Sequence, residues 1–200
     1  MTRRTRLHPE QRRQQIVTEA INVFFELGYE GASLRDLAGR VGINKATVYH
    51  YFSSKEEILY HIVREVGGGL LDGVRRASAF DGNPLVALEA MIRFQIEYMK
   101  DHLEEVKVLV EEKKSLRADL MHTTRDTESE LLQLYKSTLV RCCEHGLIRP
   151  VQVTTAAFGI LGQINWLYHW YRPDGPLSIH ELAEQVVCLL LHGLVVPPAA

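Results

Sequence analysis

Twenty residues restrict this chain more than any others: Ser33 to Phe52, reading SLRDLAGRVGINKATVYHYF. Leu34, Leu37, Ala38 and Val41 recur at three- and four-residue spacing, which puts them on one face of a short helix. Ser33 precedes that run with Asp36 three residues on, a capping-box-like start. Gly42 then breaks the helix, Ile43 turns inward, and Asn44 caps a second helix through Lys45, Ala46, Thr47, Val48, Tyr49, His50 and Tyr51. Two short helices joined by a glycine-containing turn form a helix-turn-helix, whose second helix enters the DNA major groove. Val48 and Phe52, four apart, face the core. The other positions offer a charge, a methyl-sized contact, a hydroxyl, two phenols and an imidazole. Such groups bond phosphates and base edges or touch a thymine methyl.

The string TVYHYF followed by SSKEEIL resembles the DNA-binding signature of the tetracycline-repressor (TetR) family of bacterial one-component regulators. The resemblance covers roughly residues 10 to 62. It implies an all-α fold: a three-helix DNA-binding domain over residues 1–55, with a basic arm over 1–8, then a helical effector-binding and dimerisation domain over 56–200. The residues expected at DNA are Ser33, Arg35, Asn44, Lys45, Ala46, Thr47, Tyr49, His50, Tyr51 and Lys55. Members of the family are homodimers whose last two long helices form a four-helix bundle. Such a dimer sets the recognition helices about one DNA turn apart, roughly 34–36 Å, and calls for a palindromic operator.

Charge agrees in sign. Residues 1–55 hold nine Lys/Arg against five Asp/Glu, a net of +4, and residues 56–200 hold fourteen against twenty, a net of −6. A basic segment on an acidic body places nucleic acid at one end only. Apolar residues recur at helical spacing and alternating β-branched runs are nearly absent, so the composition also reads as all-α. No run of eighteen apolar residues marks a membrane span, and the N-terminus lacks the apolar stretch of a signal peptide, so a cytoplasmic location without membrane contact is expected. The three cysteines, Cys142, Cys143 and Cys188, have no metal spacing and read as buried reduced thiols.

The arm residues Arg3, Arg4 and Arg6 suit either phosphates and the minor groove or a solvated tail. Helix 1 opens at Pro9, turns Ile16, Val17, Ala20, Ile21, Phe24 and Leu27 inward, and ends at Gly28. Ser54 caps helix 4, and Lys55 sits against the favourable charge of its first turn, which fits a phosphate contact. Gly67-Gly68-Gly69 then costs the helix about 1 kcal/mol per residue relative to alanine. Two readings stand for the triplet: a close packing point or break, or a hinge through which the larger domain tilts the DNA reader. Helix 5 spans Pro84 to about Lys100, with Leu88, Met91, Ile92, Gln95 and Met99 inward. Further helices are expected over 103–116, 118–145 and 154–171, the last apolar nearly all round and therefore buried. Ser178 caps a final helix ending near Leu194, whose second apolar face suggests a partner subunit.

The stretch QINWLYHWYRPDGPLS interleaves aromatics with Gln163, Asn165 and His169. Polar groups inside a buried helix suit an effector pocket, and Gly159 and Gly162 leave room beside it. Aromatic core and dimer packing is the plainer reading for Trp166, Trp170 and Pro173. Within the family this ending is most similar to regulators of fatty-acid, steroid and acyl-CoA catabolism, which implies an acyl-CoA effector. Its acyl chain would enter a tunnel lined by Met91, Phe94, Tyr98, Leu109 and Phe158. Its CoA portion would need cations and aromatics such as Arg172, Arg117, Lys113, Lys114 and Trp166. The runner-up is a sensor of drugs or aromatic compounds controlling an efflux pump, with Glu97, Glu111 and Glu112 facing a cationic ligand.

Rival classes fare worse. The nine histidines include no metal-like pair on one helix face, and the chain has neither a glycine-rich phosphate loop nor a nucleophile elbow, so no enzyme, metal or cofactor is expected. A nucleoid-type DNA binder would not need so large a second domain.

Overall fold

The computed structural model describes residues 8–192. The expected arm residues Arg3, Arg4 and Arg6, and Leu194 of the last helix, lie outside the described residues. Among the described residues the chain forms nine α-helices and no strand: α1 (Pro9–Gly31), α2 (Leu34–Val41), α3 (Lys45–Tyr51), α4 (Lys55–Ser78), α5 (Pro84–Glu97), α6 (Met99–Glu112), α7 (Met121–Glu144), α8 (Val153–Trp170) and α9 (Ile179–His192). None is long and apolar enough to cross a membrane.

The chain divides into two compact units. The first ends at Gly67 and resumes from Glu104 to Thr124. The second comprises Gly68–Leu103 and the chain from Arg125 on.

In the first unit, α1 to α3 pack as the spacing predicts. Ile16, Val17, Ala20 and Phe24 of α1 are buried with Leu34, Leu37, Ala38 and Val41 of α2 and Val48 and Phe52. The capping box is present: Ser33 Oγ accepts from the Asp36 amide, and Asp36 Oδ2 accepts from the Ser33 amide. Gly42 closes α2 in the left-handed conformation, φ 70°, where a side chain would be strained. Gly28 does break α1, also at φ 70°, though one further turn follows. Its opening is closed by Glu112, whose Oε1 accepts from the Tyr29 amide at 3.1 Å. Leu27, expected inward, is exposed because the break follows directly; Val23 takes the buried position instead. Ser54 Oγ caps α4 by accepting from the Glu57 amide at 3.0 Å.

In the second unit, α5 lies against α8 and α9. Leu88, Met91, Ile92, Gln95 and Met99 are buried, as the helical spacing predicts. Helix α4 runs on through the glycine triplet to Ser78. A Cβ at Gly69 would stand 2.7 Å from the Tyr98 hydroxyl, and one at Gly73 would overlap the Phe94 ring, whereas Gly68 faces open space. The close-packing reading therefore holds at Gly69, and Gly73 extends it one turn further.

Three expectations need correction. Helix α6 begins at Met99 rather than Leu103, with His102 kinking it (φ −135°), and Lys113–Ser115 form a 3-10 turn instead of its last residues. Helix α8 is not buried all round: Phe158, Trp166 and Trp170 are more than half exposed, because its neighbours cover only the side bearing Ile160, Ile164 and Leu167. Only Cys142 is a buried thiol; Cys143 is half-buried and Cys188 exposed. Burial pushes the Cys142 thiol up, away from the reactive thiolate.

Candidate DNA interface and effector region

Helix α3 owes its start to Asn44, whose Oδ1 accepts from the Thr47 amide at 2.7 Å and lies 2.8 Å from the Thr47 hydroxyl. Val48 is fully buried on its rear. Lys45, Ala46, Tyr49 and His50 are exposed on its front, while Thr47 and Tyr51 are half-buried. The Lys45 ammonium stands over the Tyr49 ring, 5.5 Å from its centre. His50 and Tyr51 meet edge to face at 5.4 Å. Beside them an open recess of about 780 Å3 is lined by His8, Pro9, Arg12 and the α3 residues Asn44, Ala46, Thr47, His50 and Tyr51. His8 and Arg12 are additions to the expected set; their only signal in the sequence is their place at the start of α1, directly after the basic arm.

Two expected DNA residues are employed elsewhere. Lys55 donates to the carbonyls of Tyr29, at 2.6 Å, and Ala32, at 2.9 Å, and stands 4.1 Å from the centre of the Tyr29 ring. Its ammonium thereby ties the α1–α2 connection to the start of α4. Ser33 has its hydroxyl engaged with Asp36 in both senses. Arg35, one residue before Asp36, is exposed.

The recognition helix is also held from behind at its C-terminal end. Arg13 Nη1 donates to the Tyr51 carbonyl at 2.9 Å, and its guanidinium lies over the Phe52 ring, 4.2 Å from the centre.

The expected effector residues fall into two groups. Leu109, Lys113 and Arg117 belong to the first unit. Leu109 is half-buried, and Lys113 lies in the 3-10 turn. Arg117 is exposed, its guanidinium paired with Asp119 at 3.0 Å and with Glu56 at 3.4 Å. The remainder belong to the second unit. Phe94 and Tyr98 fill the notches at Gly73 and Gly69, and Tyr98 stacks on His102 at 4.3 Å. Met91 is fully buried with the Thr138 hydroxyl 3.5 Å from its sulfur.

Sequence reasoning missed the polar centre of this unit. Tyr135 is completely buried and donates to Gln95 Oε1 at 2.9 Å; Gln95 Nε2 in turn reaches Asn165 Oδ1 at 3.5 Å. Burial pushes the Tyr135 phenol up, so it remains a neutral donor. Of the polar residues expected on α8, Asn165 alone joins this line. Phe158 points outward, and His169 is exposed with its ring 4.1 Å from those of Trp166 and Tyr168. Gln163 and Trp166 line an external groove of about 490 Å3 with Leu167, Trp170, Leu182, Gln185, Val186 and Leu189. These residues form an outer apolar seam between α8 and α9, not an interior pocket.

Comparison with known proteins divides the chain by sequence and not by packing, since residues 104–124 of the first unit fall within the C-terminal match. Residues 16–62 match the family model for bacterial regulatory proteins of the tetR family, and residues 81–194 match a tetracyclin repressor-like C-terminal domain. The transcriptional repressor KstR2 of Mycobacterium tuberculosis is 25% identical, over 92% of this chain and 92% of its own. The regulator PfmR of Thermus thermophilus superposes with a TM-score of 0.86 at 33% identity, covering 90% of this chain and 99% of its own. AibR, solved with isovaleryl coenzyme A and operator DNA, superposes with a TM-score of 0.83 at 27% identity, covering 90% and 98%. A helix-turn-helix whose second helix is exposed in front and buried behind, followed by a matched C-terminal domain, leaves one assignment: the chain belongs to the TetR family of bacterial transcriptional regulators.

Proposed function

We propose that the chain is a repressor that binds a palindromic operator as a homodimer and leaves it when an acyl-CoA thioester binds. The observation that carries this reading is the pairing of an exposed, DNA-suited α3 front with an uncovered aromatic seam on α8 and α9. Phe158, Trp166, Trp170 and Leu189 are too much apolar surface to leave in water, and a second copy of the same two helices covers them by two-fold symmetry. That dimer presents two recognition helices to two half-sites. Arg35, Lys45, Ala46, Thr47, Tyr49, His50 and Tyr51 carry the reading, and residues 1–55 serve as the DNA-binding domain.

The effector assignment is supported by AibR, which was solved with isovaleryl coenzyme A, and the repressor reading by KstR2, named a repressor. It is also supported by the buried Tyr135–Gln95 pair, which puts polar groups into an apolar interior, with Asn165 at its exposed end. Arg172 is the cation of the second unit offered to the CoA phosphates; Lys113, Lys114 and Arg117 belong to the first unit. The rival cationic-drug reading loses its carboxylates: Glu97 accepts from His180, Glu112 from the Tyr29 amide, and Glu111 is exposed. The effector acts by binding one dimer arrangement more tightly; about 3 kcal/mol of coupling lowers operator affinity roughly 150-fold. Gly68, in open space within α4, is the position where the helix can flex.

The test is a binding titration on a palindromic duplex selected from a random pool, challenged with acyl-CoA thioesters and the matching free acids. Release by a thioester and not by its acid is expected. Specific binding untouched by any thioester sinks the effector assignment, and failure to select a palindrome sinks the operator reading.

A further inference from the structure

Phe52 closes the recognition helix and is 1% exposed. Two basic side chains from different helices lie against its ring. Arg13 of α1 stacks on it and donates to the neighbouring Tyr51 carbonyl. His61 of α4, with a side chain 13% exposed, packs at 5.9 Å between ring centres. The last carbonyl of a short helix and the first side chain after it are therefore fixed by one guanidinium, with an imidazole beside it.

We propose that Arg13 is a positioning residue for operator reading, and that protonation of His61 loosens its hold, so that specific DNA recognition weakens as the solution is acidified. The idea rests on the operator-reading role argued above. A seven-residue helix has little stability of its own, so its angle is set by what packs behind it. Arg13 supplies a directional bond and a stacked plane at one point, a combination that the guanidinium fork makes possible. A charged imidazole in the same packing site places a second cation near the first.

The charged surroundings of His61 fix the direction. From α1 it faces Arg13 and, farther off, Glu10; from its own helix Arg64 and Glu65, with Glu57 one turn before; α3 presents only the Phe52 ring. Burial is the main influence and holds the imidazole below its ordinary 6.5, Arg13 and Arg64 adding to the effect against Glu65. Because the neutral form is preferred in the folded state, the favourable arrangement is complete at neutral pH and is lost as pH falls through the folded value of the imidazole, which lies below 6.5. The informative quantity is the ratio of affinities for the selected palindrome and a scrambled duplex, compared between wild type and His61→Gln, which share every other titrating group.

The experiment measures this ratio for the full chain by fluorescence anisotropy in steps from about pH 7.5 down to about pH 5, above the range in which carboxylates titrate and low enough to reach an imidazole held below its ordinary value. The wild-type ratio should fall about fivefold on acidification, the His61→Gln ratio should stay level, and Arg13→Gln should lower it about tenfold already at neutral pH, the scale of one lost hydrogen bond from a charged donor. A level wild-type ratio, a His61→Gln ratio that still falls, or a full ratio in Arg13→Gln each overturns the proposal. If Arg13→Gln fails to fold, the two pH profiles decide alone. If wild type selects no palindrome, the operator reading itself has failed, which is a separate result.

Discussion

The Phe94 ring occupies the space that a side chain on Gly73 would need, one helical turn beyond the same arrangement between Tyr98 and Gly69. Aromatic residues four apart on α5 and at its end thus interlock with glycines four apart on α4. The glycines are there for contact, and this pairing absorbs two residues that the sequence offers to a ligand tunnel.

Alanine scanning along α4 should therefore split by position. Gly73→Ala forces the Phe94 ring out of a packed site and should cost about 1–3 kcal/mol, more than the gain of about 1 kcal/mol from helix propensity. Gly68→Ala meets nothing within 4 Å and should stabilise the chain by up to about 1 kcal/mol. Urea unfolding distinguishes them by the sign of the midpoint shift. If Gly68 is also the flexing point, its alanine variant should need more thioester for operator release.

The buried Tyr135–Gln95 bond gives a second test. Removing the phenol oxygen in Tyr135→Phe leaves Gln95 Oε1 without its donor inside a helical core, at a cost of about 1–3 kcal/mol. Replacing both partners, Tyr135→Phe with Gln95→Leu, should recover part of that loss, since an apolar pair leaves nothing unsatisfied. A double mutant less stable than the sum of the single changes would contradict this.

Acid stability should depend on the caps. Glu57 accepts from both the amide and the hydroxyl of Ser53, and these bonds hold its carboxyl below the ordinary 4.5. Asp36 is held below its ordinary 3.8 by Ser33, and Glu181 below 4.5 by Ser178. A depressed carboxylate stabilises the fold above its unfolded value and loses that contribution as pH falls through the folded one. Melting temperature should accordingly drop below about pH 4.5. In Glu57→Gln the drop should be shallower and the neutral-pH value lower. Parallel wild-type and variant profiles would show that the cap contributes nothing.

How much of this was legible beforehand follows from the range of the interactions involved. The helix-turn-helix was fully readable, because its signals (Ser33 with Asp36, Gly42, Asn44 with Thr47) act within four residues. Helix α5 was readable for the same reason, through the spacing of Leu88, Met91, Ile92 and Gln95. The bonds of Lys55 were not legible because its partners, the carbonyls of Tyr29 and Ala32, are more than twenty residues away and carry no mark in the sequence. Tyr135 was missed because one tyrosine in a polar helix looks like any other until Gln95 is placed opposite. On α8, apolar content was readable but not which side faces out, so Phe158, Gln163 and Trp166 were assigned to an interior they do not enclose.

That outward face yields the last prediction. Trp166 is 62% exposed, Trp170 51% and Phe158 58%, all on α8 beside Leu189 of α9. Burying each aromatic against a second copy contributes on the order of 2–3 kcal/mol at about 25 cal/mol per Å2. Trp166→Glu replaces that gain with a desolvated charge facing its own symmetry mate, so the dimer should dissociate at micromolar concentration in sedimentation experiments. Helix content should be unchanged, since the position does not belong to the core. Operator affinity should collapse with the dimer, because one recognition helix spans only a half-site. A Trp166→Glu chain that still sediments as a dimer would place the seam elsewhere; a monomer that still bound the full palindrome tightly would separate dimerisation from DNA reading altogether.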